Sequence, residues 1–296
     1  MKTLIEETIR TVPADYLEIR IERTKQLSIN FEGKNLKSSQ QVEDYGGYVR
    51  ALVDGGWGFK SFNNVETLKE NAQIAVKNAK ILGKPKFRMC PVAKYIEKIH
   101  PDLNGKTDPR SISFTDKVNY FRELVKTVTE SHERIINARS SYVERERNLI
   151  IANSGGTYLT IEDLDVSGGI SAVARKGDVI QSAYQSFGTK NAWEDVRRIE
   201  KHIDRIVKDS VDLTDAMAVK GGRYTVILDP KLAGVFIHEA FGHLSEGDAV
   251  AANPTLQEQM KFGRPFGEKH LNVCDGGAYP GCRGSYPFDD EGTPST

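Results

Sequence analysis

An α+β fold, with antiparallel sheet backed by helices, is predicted by two hydrophobic periods that take turns along the 296-residue chain. Groups of alternating segments rich in β-branched and aromatic residues are followed by stretches whose apolar residues recur at helical spacing, and Gly, Asn and Asp clusters punctuate the junctions. The first group is DYLEIRIERT, QLSINFEG and GGYVRALVDGGWGFKSF, read as strands. A helix follows: Asn63 with Glu66 three positions on resembles a capping box, and Val65, Leu68, Ala72, Ala75, Ala79 and Leu82 share one face before Gly83 ends the run. The Lys- and Pro-rich stretch 84–111 reads as a linker.

A second helix is expected from Thr115 or Asp116, with Val118, Phe121, Val125 and Val128 inward. IINARSSYVERERNLIIAN, TYLTIEDLDVSGGISAVAR and DVIQSAYQSFG then form a meander, turning at Ser154-Gly155-Gly156 and Lys176-Gly177-Asp178, where glycine tolerates positive φ. A helix carrying Trp193, Val196, Ile199, Ile203 and Ile206 on one face is expected to cover it. Beyond Gly221, YTVILD reads as a short buried strand. Asp229-Pro230 marks a helix start, with Asp at the N-cap and Pro in the first turn. The domain expectation is an α+β unit over 1–105, a helix-plus-meander unit over 106–216, and the start of an incomplete peptidase domain over 217–296.

Composition narrows the functional classes. With 39% hydrophobic residues the chain can bury sizeable cores, and 41 basic against 41 acidic residues leave no net field to draw it onto nucleic acid or an anionic membrane. The N-terminus places two glutamates directly after its first apolar residues, unlike a signal peptide, and no run approaches the roughly 20 apolar residues of a membrane span. Three cysteines, Cys90, Cys274 and Cys282, are too few and too spread for a disulfide framework, so a soluble, cytoplasmic protein is expected.

The chemistry concentrates in His238-Glu239-Ala240-Phe241-Gly242-His243. Neutral imidazole is a preferred zinc ligand, and a glutamate beside the first histidine can take a proton from a water activated by the metal. The usual metalloprotease helix spaces its histidines four apart. Here the spacing is five, and on a regular helix that step turns the second ring by roughly 140° past a full turn. Both rings reach one ion only if the helix bends or bulges between Ala240 and His243. Gly242 is the natural place for the distortion. A chance pairing around a helix end is the bland alternative. Glu246, Asp248, His270 and Cys274 follow closely but read as turn-shaping or solvated groups, and His100, His132 and His202 as surface groups. Gly55-Gly56-Trp57-Gly58 fits a hairpin turn better than a phosphate loop, and Asp289-Asp290-Glu291 lacks the ligand spacing of a calcium loop.

HEAFGH followed by LSEGD, together with DYLEIRIER, VRALVDGGWGF and SYPFDDEGTPS, resembles the TldD/PmbA metalloproteases, on the TldD side, along the whole chain. The resemblance implies a Zn2+ peptidase that hydrolyses unfolded peptides or small proteins. His238 and His243 would hold the metal and Glu239 would be the catalytic base. It also implies a related TldE/PmbA-type partner subunit, or a homo-oligomer. In the family the third ligand is a cysteine near the C-terminus of a longer chain, a role that neither Cys274 nor Cys282 takes by position. A non-catalytic peptide-binding, dimerising scaffold of the same family, and a metal hydrolase of some other bond, are the competing readings.

Overall fold

The computed structural model describes residues 1–82, 92, 94–103, 105–190 and 192–295. Cys90 lies outside them. Two compact units are present, one formed by Met1–Ala216 with Gly277–Thr296, the other by Met217–Gly276.

In the larger unit a short helix, α1 (Lys2–Thr11), precedes the first strand and buries Ile5 and Thr8. Strand β1 (Tyr16–Glu32) runs unbroken through the two segments that the sequence pattern separates. It continues across polar Thr24, Lys25 and Gln26 because these residues are paired on both sides, to Asp44, Glu43 and Val42 of β2 (Asn35–Val53) and to Arg147, Glu146 and Arg145 further along the chain. The main-chain ladder is complete there, so side-chain polarity does not end the strand. Asp54 and Gly55, both at positive φ, turn β2 into β3 (Gly56–Phe62), as a hairpin.

Helix α2 (Leu68–Ile81) follows a single 3₁₀ turn capped by Asn64, whose side chain accepts from the Glu66 N–H at 2.9 Å. The cap falls one residue beyond Asn63. Ala72, Ala75 and Ala79 are fully buried, and the helix comes so close to β3 that a Cβ on Gly58 would sit 1.9 Å from the Ala75 carbonyl oxygen. Leu82, expected on this face, is 67% exposed just past the helix end.

Within the expected linker, β4 (Ile96–Ile99) pairs in parallel with a later strand, and the chain leads to α3 (Phe114–Glu130). Ser113, not Thr115 or Asp116, is the N-cap, accepting from the Asp116 N–H at 3.1 Å. The meander appears as read, in β5 (Ile135–Asn153), β6 (Tyr158–Lys176) and β7 (Val179–Thr189), with positive φ at Gly156 and Gly177. Next come α4 (Trp193–Arg197), a 3₁₀ segment Arg198–His202 and α5 (Ile203–Leu213), which bury Trp193, Val196, Ile199, Ile203 and Ile206.

Strands from both halves of this unit join one seven-stranded sheet of order β3-β2-β1-β5-β6-β4, with β7 also on β6; all pairs are antiparallel except β4 with β6. One face is apolar and carries the helices. Leu17, Ile19 and Ile21 pack with α1 and α2, while Ile29 and Phe31 pack with α3 and α5. The opposite face carries Glu18, Arg20, Arg145 and Arg147, and the segment 277–295 folds against it, with Phe288 on Leu149, Ile151, Leu159 and Ile161.

The acidic run of that segment serves the sheet. Asp289 Oδ1 accepts the N–H groups of Glu291 at 3.0 Å and Thr293 at 2.7 Å, tightening a loop with Gly292 at φ 81°. Asp290 pairs with Arg20 and Glu291 with Arg50. Arg50 also donates at 2.8 Å to Glu18, which is wholly buried and accepts from the hydroxyls of Tyr16 at 2.8 Å and Tyr48 at 3.1 Å. Burial pushes the Glu18 carboxyl up and the Arg50 charge pulls it back.

In the smaller unit, residues 224–228 form no strand, and Ile227 is 99% exposed. The expected buried strand is absent because, among the described residues, no neighbouring strand pairs with this stretch. The predicted helix start holds, opening α6 (Pro230–Ile237), and α7 (Gly247–Ala252) and α8 (Pro254–Gln259) follow.

One buried ion pair sits under α3. Lys117, 3% exposed, reaches Glu144 Oε2 at 2.6 Å, and the Tyr142 hydroxyl donates to the same oxygen at 2.6 Å. Lys117→Met, which strands the carboxylate, is expected to cost about 3–5 kcal/mol in urea unfolding, and adding Glu144→Leu should recover most of that. A double variant as unstable as the single one would locate the cost in packing instead.

Candidate metal centre

The centre begins with a helix cap. Asp229 Oδ1 accepts from the Leu232 N–H at 2.8 Å and Pro230 occupies the first turn, so α6 starts at a fixed residue and delivers His238 at its C-terminal end. The helix then widens into a π-turn over His238–Gly242, closed by the His243 N–H on the His238 carbonyl. A hydrogen bond from residue i+5 to residue i makes a five-residue step one turn. The bulge predicted between Ala240 and His243 is therefore present, and it brings the two imidazoles to 4.4 Å between ring centroids, inclined by 63°.

Gly242 contributes by its size. Its backbone is ordinary helix, φ −55° and ψ −53°, so no left-handed conformation is needed. A Cβ there would lie 3.2 Å from His238 Nδ1, crowding the first ring. Phe241, on the same turn, faces away to meet Phe266 at 5.1 Å.

Ligand atoms of His238, Glu239 and His243 lie within 4.8 Å of one another, and all three side chains are exposed. Among the described residues this is the one cluster of three or more such groups with that geometry. His243 Nε2 stands 3.8 Å from Glu239 Oε2, while its Nδ1 lies 2.7 Å from Glu246 Oε1. A carboxylate can only accept, so Nδ1 carries the proton and donates it to Glu246, leaving Nε2 as the lone-pair nitrogen on the side of Glu239. The hydrogen bond to Glu246 and then its charge, with a smaller push from Glu239, hold the His243 pKa above the usual imidazole range.

The other groups stay apart from the cluster. Asp248 accepts from the Ala249 N–H, and His270 and Cys274 are exposed elsewhere in this unit. In the larger unit His100 pairs with Glu162 at 2.9 Å and His132 Nδ1 accepts from the Arg134 N–H. Sequence reading gave Glu246 only a turn-shaping part. Its position three residues after His243, the spacing of neighbours on a helix, was the available signal.

A capped helix that presents two histidines and a glutamate on one turn offers a set of groups that could hold a metal ion, and comparison with known proteins gives the family. Profiles described as PmbA/TldA metallopeptidase domain 1, central domain and C-terminal domain match residues 17–81, 107–217 and 221–296. The chain belongs to this TldD/PmbA family. It is 32% identical over 286 residues to a metalloprotease of Synechocystis, covering 96% of this chain and 61% of that protein. It is 26% identical to a zinc metalloprotease TldD homolog of Saccharolobus solfataricus, covering 94% and 60%. The chain thus spans about three fifths of the length of these relatives. Crystal structures with the same fold include a Thermotoga maritima protein described as a candidate modulator of a DNA gyrase, with TM-score 0.75, 17% identity and coverage of 100% of this chain and 67% of that one. TldE of Thermococcus kodakarensis gives TM-score 0.54 at 20% identity, covering 70% and 46%.

If Glu246 sets the His243 proton affinity, Glu246→Gln should lower the pKa of that ring in the metal-free chain, read by imidazole NMR. Because a raised imidazole pKa means the proton competes with metal up to higher pH, the same variant should bind metal at lower pH than the parent. An unmoved titration would remove Glu246 from the site.

Proposed function

We propose that this chain is a zinc-dependent peptidase of unfolded peptides or small proteins, with His238 and His243 as metal ligands and Glu239 as the general base. The observation that carries the reading is the π-turn, which converts an unfavourable five-residue spacing into two converging imidazoles beside a carboxylate. The donor set fits the metal: two imidazoles suit zinc, whereas calcium and magnesium take oxygen donors. Bound there, zinc supplies Lewis acidity that polarises a scissile carbonyl and makes a water acidic.

The chain's own residues supply the rest. Glu246 holds the His243 ring in one tautomer so that Nε2 keeps its lone pair. Glu239, next to the first ligand and exposed, removes the proton of the attacking water and returns it to the departing amine. The family description as metallopeptidase and the name of the Saccharolobus relative support the metal and the reaction. The likeness to TldE supports a related partner subunit. A cytoplasmic setting accords with the free, exposed thiols of Cys274 and Cys282; no helix among the described residues is long and apolar enough to cross a membrane.

The competing reading is a non-catalytic peptide-binding scaffold of the same family. Elemental analysis and peptide cleavage separate the two. The peptidase reading expects zinc on the chain, loss of zinc in His238→Ala, and a Glu239→Gln variant that keeps zinc while turnover of an unstructured peptide falls about 10²–10⁴-fold. Zinc bound with no cleavage, partner subunit present, would favour the scaffold. Glu239→Gln cleaving at the parental rate would remove the assigned base.

A further inference from the structure

The polar face of the large sheet, under the segment 277–295, holds two adjoining cavities of about 420 and 350 Å³. They share Ile161, Asp163, Lys190 and the Ser285–Pro287 stretch, and both belong to the larger unit. Volumes of this size suit small organic ligands.

The first cavity is lined by more cation than its neighbours neutralise. Asp163 is shared by Arg147 at 2.8 Å and Lys190 at 2.6 Å, and Asp165 by Arg145 at 2.7 Å and Arg283 at 2.9 Å. Counted together, the wall cations Arg20, Arg145, Arg147, Lys190 and Arg283 face the carboxylates of Asp163, Asp289 and Asp290 in the wall and of Asp165 behind it, a surplus of one charge. Of these acids, Asp290 pairs with Arg20, and Asp289 accepts from the loop N–H groups. Arg147 Nε is buried without a hydrogen-bond partner, an N–H that the fold leaves unsatisfied. The second cavity supplies apolar wall from Ile99, Leu164 and Pro280.

We propose that this groove binds an organic oxyanion with an apolar body, the anionic head on Arg147 and Lys190 and the body against Ile161 and Pro280. Guanidinium and ammonium donors serve carboxylate and phosphate alike, so the head group is defined by chemistry and its source by experiment. The site stands apart from the peptidase reading, since none of its residues belongs to the histidine turn.

Calorimetric titration of the chain with N-acetyl-leucyl-phenylalanine, its C-terminal amide and phenyl phosphate tests the site. One or both anions should bind, and the amide should bind about tenfold or more weakly, the loss of one hydrogen bond to a charged group. The stronger anion identifies the source as a peptide carboxylate or a phosphate ester. Lys190→Gln, outside the sheet and confirmed folded by its thermal melt, should weaken the anion about tenfold, with Lys190→Arg restoring it. Arg147→Gln should act in the same direction. His238→Ala should leave anion binding intact, so failure of the metal centre does not mimic failure here. Equal affinity for acid and amide, absence of binding by either anion, a folded Lys190→Gln with parental affinity, or loss of binding in His238→Ala would each overturn the proposal.

Discussion

The double pairing of β1 is the constraint on which the rest of the larger unit depends. Its backbone is hydrogen-bonded on both edges, to β2 and to β5, over most of its 17 residues. Side chains therefore alternate strictly between two faces, and a slip of one residue would exchange every member of the two sets. The apolar set fixes where α1, α2, α3 and α5 lie. The charged set fixes what the opposite face can accept. Glu18 shows how firmly this is imposed: its carboxylate is buried and is tolerated because two tyrosines and Arg50 donate to it.

The same face explains why the tail carries DDEG. Its acids meet Arg20 and Arg50, and its Phe288 covers the aliphatic patch of β5 and β6. The segment is held by charge and by packing together, although more than 100 residues separate it from the strands it covers. The histidine turn is built on another plan. It lies in the smaller unit, on a helix with no buried residue, and depends on its cap, its π-turn and one carboxylate partner.

Local patterns were legible in the sequence where the deciding forces are local. The meander strands, the turns at Gly156 and Gly177, the inward face of α3 and the Asp229-Pro230 start all follow from periodicity or cap chemistry. A distortion of the helix was also legible, because spacing and ligand chemistry could be reconciled only by a bend or a bulge, and the structure has the bulge. Long-range pairing was not. The continuity of β1 depends on partners more than 100 residues away, β4 in the supposed linker exists through its ladder with β6, and YTVILD has β-type composition without a partner strand. The roles of Asp290 and Glu291 were hidden for the same reason, as their arginines are over 200 positions distant.

The hydrogen bond from the His243 N–H to the His238 carbonyl has a wider consequence. The placing of the two residues that carry the rings is written into the main chain, not into a surrounding core. Residues on the exposed surface around the turn can therefore change in charge and polarity while the pair keeps its spacing. An inserted residue between the histidines would outrun the π-turn and swing the second ring away, whereas a deleted one would leave a four-residue step that a regular helix accommodates without a bulge. The π-turn behaves as a ruler matched to a five-residue step, and each residue count between the histidines calls for its own helical geometry.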